Sequence, residues 1–223
     1  MTERVVVVGA GGFGRETLDV IEALIAAGAS IQVLGVLDAA PRDADLDQLT
    51  KRGIPYLGTE AEWLPGATGD ERYIVAVGAP AVRRRVAARF SDAGLRAATV
   101  IHPSAVIGSQ SRIGDGVVIT SGVQVSTNVT LGDHVHLNPA SVIGHDAVLS
   151  DFVSVNPGAI VSGNVDVRSG VLLGAGSVVL QGLAVGAGAT VGASACVTKD
   201  VEAGTTVVGV PARDVALRPL AGG

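Results

Sequence analysis

Stepping by six from Ile101 meets an aliphatic side chain every time as far as Val197. The series runs Ile107, Ile113, Ile119, Val125, Leu131, Leu137, Ile143, Leu149, Val155, Val161, Val167, Leu173, Val179, Val185 and Val191. Four residues after each of these stands a small or aliphatic residue, from Ala105, Ser111 and Val117 through to Val201. A period of six is neither the 3.6 of an amphipathic helix nor the 2 of an ordinary strand. It predicts three short strands joined by tight corners, closing a triangular coil with the large aliphatics inside. Stacked at a strand spacing of about 4.8 Å, about six coils make a prism roughly 25–30 Å tall. Gly108, Gly114, Gly132, Gly144, Gly174, Gly186 and Gly192 are expected at corners, where a residue without Cβ turns most easily.

Residues eighteen apart then become neighbours on the surface. Asp115, Asp133 and Asp151, followed by Ser169, form one column, expected to be a solvated row suited to turns. Asn138 lies under Asn156, and His136 under Ser154. Pro103, Ser121, Pro139 and Pro157 give way to Ala175 and Ala193, a strip of small residues where a long thin ligand can lie.

The first hundred residues follow a different pattern. An apolar run, Val5 to Val8, ends in Gly9-Ala10-Gly11-Gly12-Phe13-Gly14. An amphipathic stretch from Arg15 to Ala27 follows, and then a strand from Val33 to Leu37 that ends at Asp38. A third strand is expected over Tyr73 to Val77, and a basic helix from Ala81 to Phe90. Strand, glycine-rich loop, helix, and strand ending in an acid are the parts of a dinucleotide-binding fold. The unit ends near residue 98, however, which leaves room for only half of a doubly wound sheet and suits a single nucleotide. The helix N-terminus would receive phosphates, with Asp38 on the ribose or base; the alternative is a domain that merely caps the prism. Arg83, Arg84 and Arg85 are expected to be solvated or packed.

Composition narrows the choice. Aromatic residues make up 3% of the 223-residue chain against 48% hydrophobic residues and 31 glycines, so regular stacked layers must fill the core. A net charge of −5 without a Lys/Arg block argues against a nucleic-acid partner. The single cysteine, Cys196, excludes an internal disulfide and fits a reducing cytoplasm as a structural thiol. The start, MTERVVVVGA, does not read as a signal peptide. From Ser169 to Thr198 no residue is charged, but seven glycines and the period of six argue against membrane insertion.

The chemistry falls on few residues. His102 beside Pro103 is expected to be structural. His134 and His136 form an H-x-H pair, but a zinc-type site on a prism needs a third histidine, and no metal is expected. His145 stands at a solvent-facing corner with Asp146 to orient its ring, Thr127 one coil below, and Gly163 one coil above leaving open space. Acyl transfer from a thioester needs a base of this kind near neutrality.

The stretch GAGGFGRE at the start, VIGHD, VNPGA and the late GVPAR resemble, in that order, the sialic-acid O-acetyltransferase/bacillosamine and perosamine N-acetyltransferase family. The resemblance covers nearly the whole chain. It implies a Rossmann-like nucleotide-sugar-binding domain over residues 1–98, then a left-handed parallel β-helix of hexapeptide repeats with a C-terminal tail over 99–223. It places the general base on His145, its acidic helper on Asp146 and a neighbouring polar group on Asn138. Nucleotide-sugar contacts fall on Gly11, Gly12, Phe13, Asp38 and Gly58. Acetyl-CoA contacts fall on Ser154, Gly163, Ala175 and Ala193; outside the resemblance, Lys199 and Arg213 are candidate partners for CoA phosphates, the alternative being solvated side chains. Ser154 departs from members with a second histidine there. The implied protein is a cytoplasmic homotrimer with sites between subunits, which N-acetylates a nucleotide-linked deoxyamino sugar with acetyl-CoA and no metal. Alternatives are O-acetylation of a sialic-acid-like sugar, a metal-dependent lyase of the gamma carbonic anhydrase kind, and a non-catalytic nucleotide-binding assembly protein.

Overall fold

A computed structural model describes residues 2–217; the last six residues of the expected C-terminal tail lie outside it. The N-terminal part alternates β1 (Glu3–Val8), α1 (Gly12–Ala26), β2 (Ile31–Leu37), α2 (Asp43–Lys51), a short α3 (Glu60–Trp63), β3 (Arg72–Val75), α4 (Pro80–Asp92) and β4 (Arg96–Ala97). The four strands form one parallel sheet in the order β2-β1-β3-β4. Val5 and Val7 pack with Leu18 and Ile21 of α1 on one side of the sheet, and Val6 and Val8 with Val86 and Phe90 of α4 on the other. Because both faces are covered, β1 reads as an unbroken apolar run.

α1 begins at Gly12, earlier than the apolar periodicity suggests, because the glycine loop itself supplies its first turn. Each glycine of the G-x-G-x-x-G loop has its own reason. Gly9 has φ +120 and lies so close to β3 that a Cβ would stand 2.7 Å from the Ala76 carbonyl. A Cβ on Gly14 would collide with the Gly9 carbonyl, so this glycine brings helix and strand together. Gly11 has open space around it.

From Val100 the chain winds as a parallel solenoid of two-residue strands. Face 1 carries the pairs beginning at Val100, Val118, His136, Ser154, Leu172 and Thr190; face 2 those beginning at Val106, Gln124, Val142, Ile160, Val178 and Cys196; face 3 those beginning at Arg112, Thr130, Val148, Asp166 and Ala184. Strands eighteen residues apart pair in register, as His136 with Ser154 and Leu137 with Val155. The interior column from Val117 to Val207 forms one continuous core.

The corner glycines need a correction. Gly108, Gly114, Gly132, Gly144, Gly174, Gly186 and Gly192 do not have left-handed φ; a Cβ there would strike the coil above, as Gly144 would strike Gly163 and Ser162 at 2.5 Å. They permit close stacking. The left-handed turn comes two residues later, at Gln110, Gly116, His134, Asp146, Gly176, Gly188 and Ser194, and other corners have it at Asn128, Phe152 and Asn164.

The N-terminal domain sits on face 1. Outward-facing Val118, His136 and Ser154 are 0%, 1% and 1% exposed, whereas Val106 on face 2 is 54% and Val148 on face 3 is 42%. Val100 and Val118 join the same apolar cluster as β1 and α1.

Candidate active site

His145 stands at the corner between faces 2 and 3, and its backbone carbonyl accepts a hydrogen bond from Asn164 N–H in the next coil. Its Nδ1 lies 2.7 Å from Asp146 Oδ2. An ionised carboxylate only accepts, so Nδ1 carries the proton of this bond, and in the neutral ring the lone pair lies on Nε2. Asp146 also accepts a 3.0 Å bond from Asn128 Nδ2, one coil below. The His145 and Asn128 bonds hold the Asp146 carboxyl below its ordinary pKa. The space expected above Gly163 is filled by the His145 ring, since a Cβ on Gly163 would lie 2.6 Å from both Cε1 and Nε2. Gly163 is therefore the seat of the imidazole. A groove of ≈ 470 Å³ runs from this corner onto face 2, lined by Val106, Gln124 and Val142 among others.

At the carboxyl edge of the sheet, where ligands of open α/β folds bind, Asp38 organises the glycine loop. Its Oδ2 accepts from Ala10 N–H at 2.8 Å and its Oδ1 from Ala40 N–H at 2.9 Å. Its own N–H donates to the Gly58 carbonyl at 3.2 Å, and Tyr56 donates its hydroxyl to the Asp38 carbonyl at 2.9 Å. Gly11 caps α1 without a side-chain hydrogen bond, so no side chain satisfies the first-turn N–H groups, and a Cβ at Gly11 or Gly12 would meet nothing within 4 Å. Arg15 braces the loop through the Ala10 carbonyl and Asp45, whose carboxyl is held down at about 2 by Arg42 and Arg15. The Phe13 ring packs at a tilt against His136, 4.6 Å between centroids and 38° between planes.

The other expected site residues do not join His145 within one chain. Asn138, Ala175 and Ala193 lie at the corner between faces 1 and 2, so the small-residue strip and the His145 corner are separated by the width of face 2. Asn138 is buried, its amide donating to the Val155 carbonyl at 2.9 Å and to Asn156 at 3.4 Å. Ser154 is sealed beneath the N-terminal domain, donating to the Gly78 carbonyl and accepting from Arg83. Within this chain its hydroxyl is therefore buried and engaged, not exposed to a ligand. Lys199 and Arg213 both line a depression of ≈ 290 Å³ at the prism's end, together with Asp200, Glu202 and Asp214.

His134 and His136 are absorbed by the domain contact. His134 stacks between Phe152 and Tyr73, and burial followed by the Arg83 charge lowers both histidine pKa values, that of His136 far below the usual range. No group of three or more His, Cys, Asp or Glu able to hold a metal occurs among the described residues. Sequence patterns did not single out Asn128, Tyr56, Phe152 or the anchoring role of Arg83. Asn128 alone carried a usable signal, its place eighteen residues before Asp146.

A nucleotide-type crevice joined to a hexapeptide prism with a His-Asp corner defines a class of sugar acyltransferases. The model of the PglD N-terminal domain matches residues 4–90. A histidine-to-asparagine variant of perosamine N-acetyltransferase from Caulobacter crescentus, in complex with CoA and GDP-perosamine, is 31% identical, with 96% of this chain and 97% of that chain covered and a TM-score of 0.84. The acetyltransferase domain of PglB from Neisseria gonorrhoeae FA1090, in complex with acetyl coenzyme A, is 28% identical, with 96% and 100% covered and a TM-score of 0.84. UDP-N-acetylbacillosamine N-acetyltransferase of Bacillus subtilis (strain 168) is 32% identical over 117 residues, 52% of this chain and 51% of that protein, so the match spans about half the length of this curated relative. The chain belongs to the bacillosamine and perosamine N-acetyltransferase family of hexapeptide-repeat proteins. Its fold is accordingly an α/β domain followed by a left-handed β-helix.

Proposed function

We propose that this chain transfers the acetyl group of acetyl-CoA to the amino group of a nucleotide-linked deoxyamino sugar. The observation that carries the proposal is the His145–Asp146 pair, with Nδ1 engaged and Nε2 free at an exposed corner. The amine nitrogen attacks the thioester carbon, and His145 Nε2 takes the proton that the amine loses. As the intermediate collapses the C–S bond breaks, and the same proton passes to the departing thiolate to give free CoA. General base catalysis of this kind contributes about 10²–10⁴-fold. A backbone N–H near Gly163 is suited to hold the oxyanion. The nucleotide binds at Gly11, Gly12, Phe13, Asp38 and Gly58, and acetyl-CoA lies along Gly163, Ala175 and Ala193. We take residues 1–98 and 99–223 as the two functional domains.

The working unit is a homotrimer with sites between subunits. Support comes from the placement of the N-terminal domain on face 1, which is opposite the His145 corner in a three-faced prism, so that pairing the nucleotide site of one copy with the base of another would complete the site. No helix among the described residues is long and apolar enough to cross a membrane, and we place the reaction in the cytoplasm. The test is a panel of UDP-, GDP- and dTDP-linked amino sugars with acetyl-CoA, following thiol release in wild type and His145→Asn. Turnover on at least one amino sugar, lost in the variant, is expected. Equal turnover in both would refute the base assignment, and turnover only on hydroxyl acceptors would indicate O-acetylation. A metal-dependent hydratase activity, or nucleotide binding without turnover, would point to the lyase or assembly-protein alternatives.

A further inference from the structure

α4 carries Arg83, which is 0% exposed although its side chain is charged. Burial first, and the Arg84 charge second, lower its pKa to about 9, so it remains a cation at neutral pH. Among the described residues no carboxylate pairs with it. Its Nη1 donates to the carbonyls of Val77 at 2.8 Å and Gly78 at 3.1 Å. Its Nε donates to the His134 carbonyl at 3.0 Å, while Nη2 donates to the Phe152 carbonyl at 2.8 Å, Ser154 Oγ at 2.9 Å and the Val153 carbonyl at 3.4 Å. One guanidinium thus joins the segment after β3 to two successive coils of the prism.

That segment lies beside the glycine loop to which the nucleotide is assigned above. It packs against Gly9, and it follows a strand that ends at the same sheet edge as β1 and β2. A buried charge without a counter-ion is costly, and an apolar side chain of similar volume commonly holds two surfaces together at least as well. Direction is what the guanidinium adds, since its planar fork fixes the angles of the carbonyls it meets, whereas an ammonium offers three mobile donors.

We propose that Arg83 is a positioning residue for the transfer reaction: it sets the aim of the nucleotide crevice relative to the prism, and so the place of the sugar amine, without touching either substrate. This rests on the acetyl-transfer function proposed above. Misplacing a reacting atom by about 1 Å can cost about 10²-fold, so kcat is the parameter at risk.

The experiment compares wild type, Arg83→Lys, Arg83→Met and Ser154→Ala on the amino sugar that wild type turns over best. Folded fraction is measured by thermal unfolding and nucleoside diphosphate affinity by calorimetry. The expected result is a fall in kcat of about 10–100-fold in Arg83→Met, with a partial fall in Arg83→Lys and a smaller one in Ser154→Ala. The acetyl-CoA KM and nucleotide Kd should stay within about twofold in all three, because each site is built on one side of the contact. The inference is overturned if kcat per folded protein is unchanged in both arginine variants, or if kcat and both affinities decline by one common factor. If Arg83→Met fails to fold, Arg83→Lys and Ser154→Ala decide by the same criteria. A wild-type protein silent across the whole panel would instead refute the acetyl-transfer function itself.

Discussion

Replacing Gly163 with alanine tests whether the seat of His145, rather than the residue alone, sustains turnover. The backbone of Gly163 is outside the left-handed region, so alanine adopts it without strain. The new methyl would stand 2.6 Å from Cε1 and Nε2, whereas carbon atoms pack at about 3.5–4.0 Å. The ring must therefore retreat by about 1 Å. His145 is 57% exposed, so it can move into solvent, and stability should change by no more than about 0.5 kcal/mol. The retreat pulls Nδ1 from Asp146 and carries Nε2 away from the attacking amine, for which a loss in kcat of about 10²-fold is expected. Initial rates of thiol release, at saturating acetyl-CoA, with thermal unfolding as control, measure both. A kcat within twofold of wild type at unchanged stability would show that the ring position is not what limits the reaction. A rise confined to the KM for acetyl-CoA would show instead that Gly163 is only a surface for CoA.

Two further predictions concern stability. His136 is buried and neutral in the folded chain, with its pKa far below the ordinary value, while the unfolded chain takes up its proton near pH 6.5. Its contribution is therefore complete above about pH 6.5 and is lost as pH falls from there toward the folded value, by up to about 1.4 kcal/mol per pH unit. Urea unfolding between pH 7 and 5.5 should show this slope in wild type and a smaller one, left by His134, in His136→Leu; equal slopes would contradict the assignment. Leu149→Ala opens a cavity in the fully buried prism core and should cost about 2–5 kcal/mol by urea unfolding, and a loss below about 1 kcal/mol would mean that the stacked layers collapse to fill it.

The prism was legible because its energetics are written in one repeating unit. Every interior aliphatic from Ile119 to Val179 has the same two neighbours, eighteen residues before and after, as in the pairing of Ile143 with Val161 or Leu131 with Leu149, and the step shortens to sixteen only at the last coil, where Val191 pairs with Val207. Turn chemistry was less legible, because stacking distance and left-handed φ are separate demands on adjacent positions. Gly144 meets the first with a missing Cβ; Asp146 meets the second with a side chain that also works on His145. The α/β domain gave strong signals at its buried strands and weak ones at its ends, where the Gly11 cap moved the start of α1 into the glycine loop.

Within the site, spacing carried whatever lies on one column and nothing that crosses between columns. Gly163 follows His145 by eighteen residues, and the structure places one on the other. Ala175 follows His145 by thirty, which is not a multiple of eighteen, so the strip belongs to another corner although both are exposed and lined with small residues. Contacts between the domains have no period at all. Arg83 reaches partners 51 and 71 residues away, and nothing in the run of three arginines distinguishes it from Arg84, which extends to Ser169 on the surface, or from exposed Arg85. The distinction arises only when α4 lies against face 1 and turns one arginine inward, under a domain whose crevice it then helps to aim.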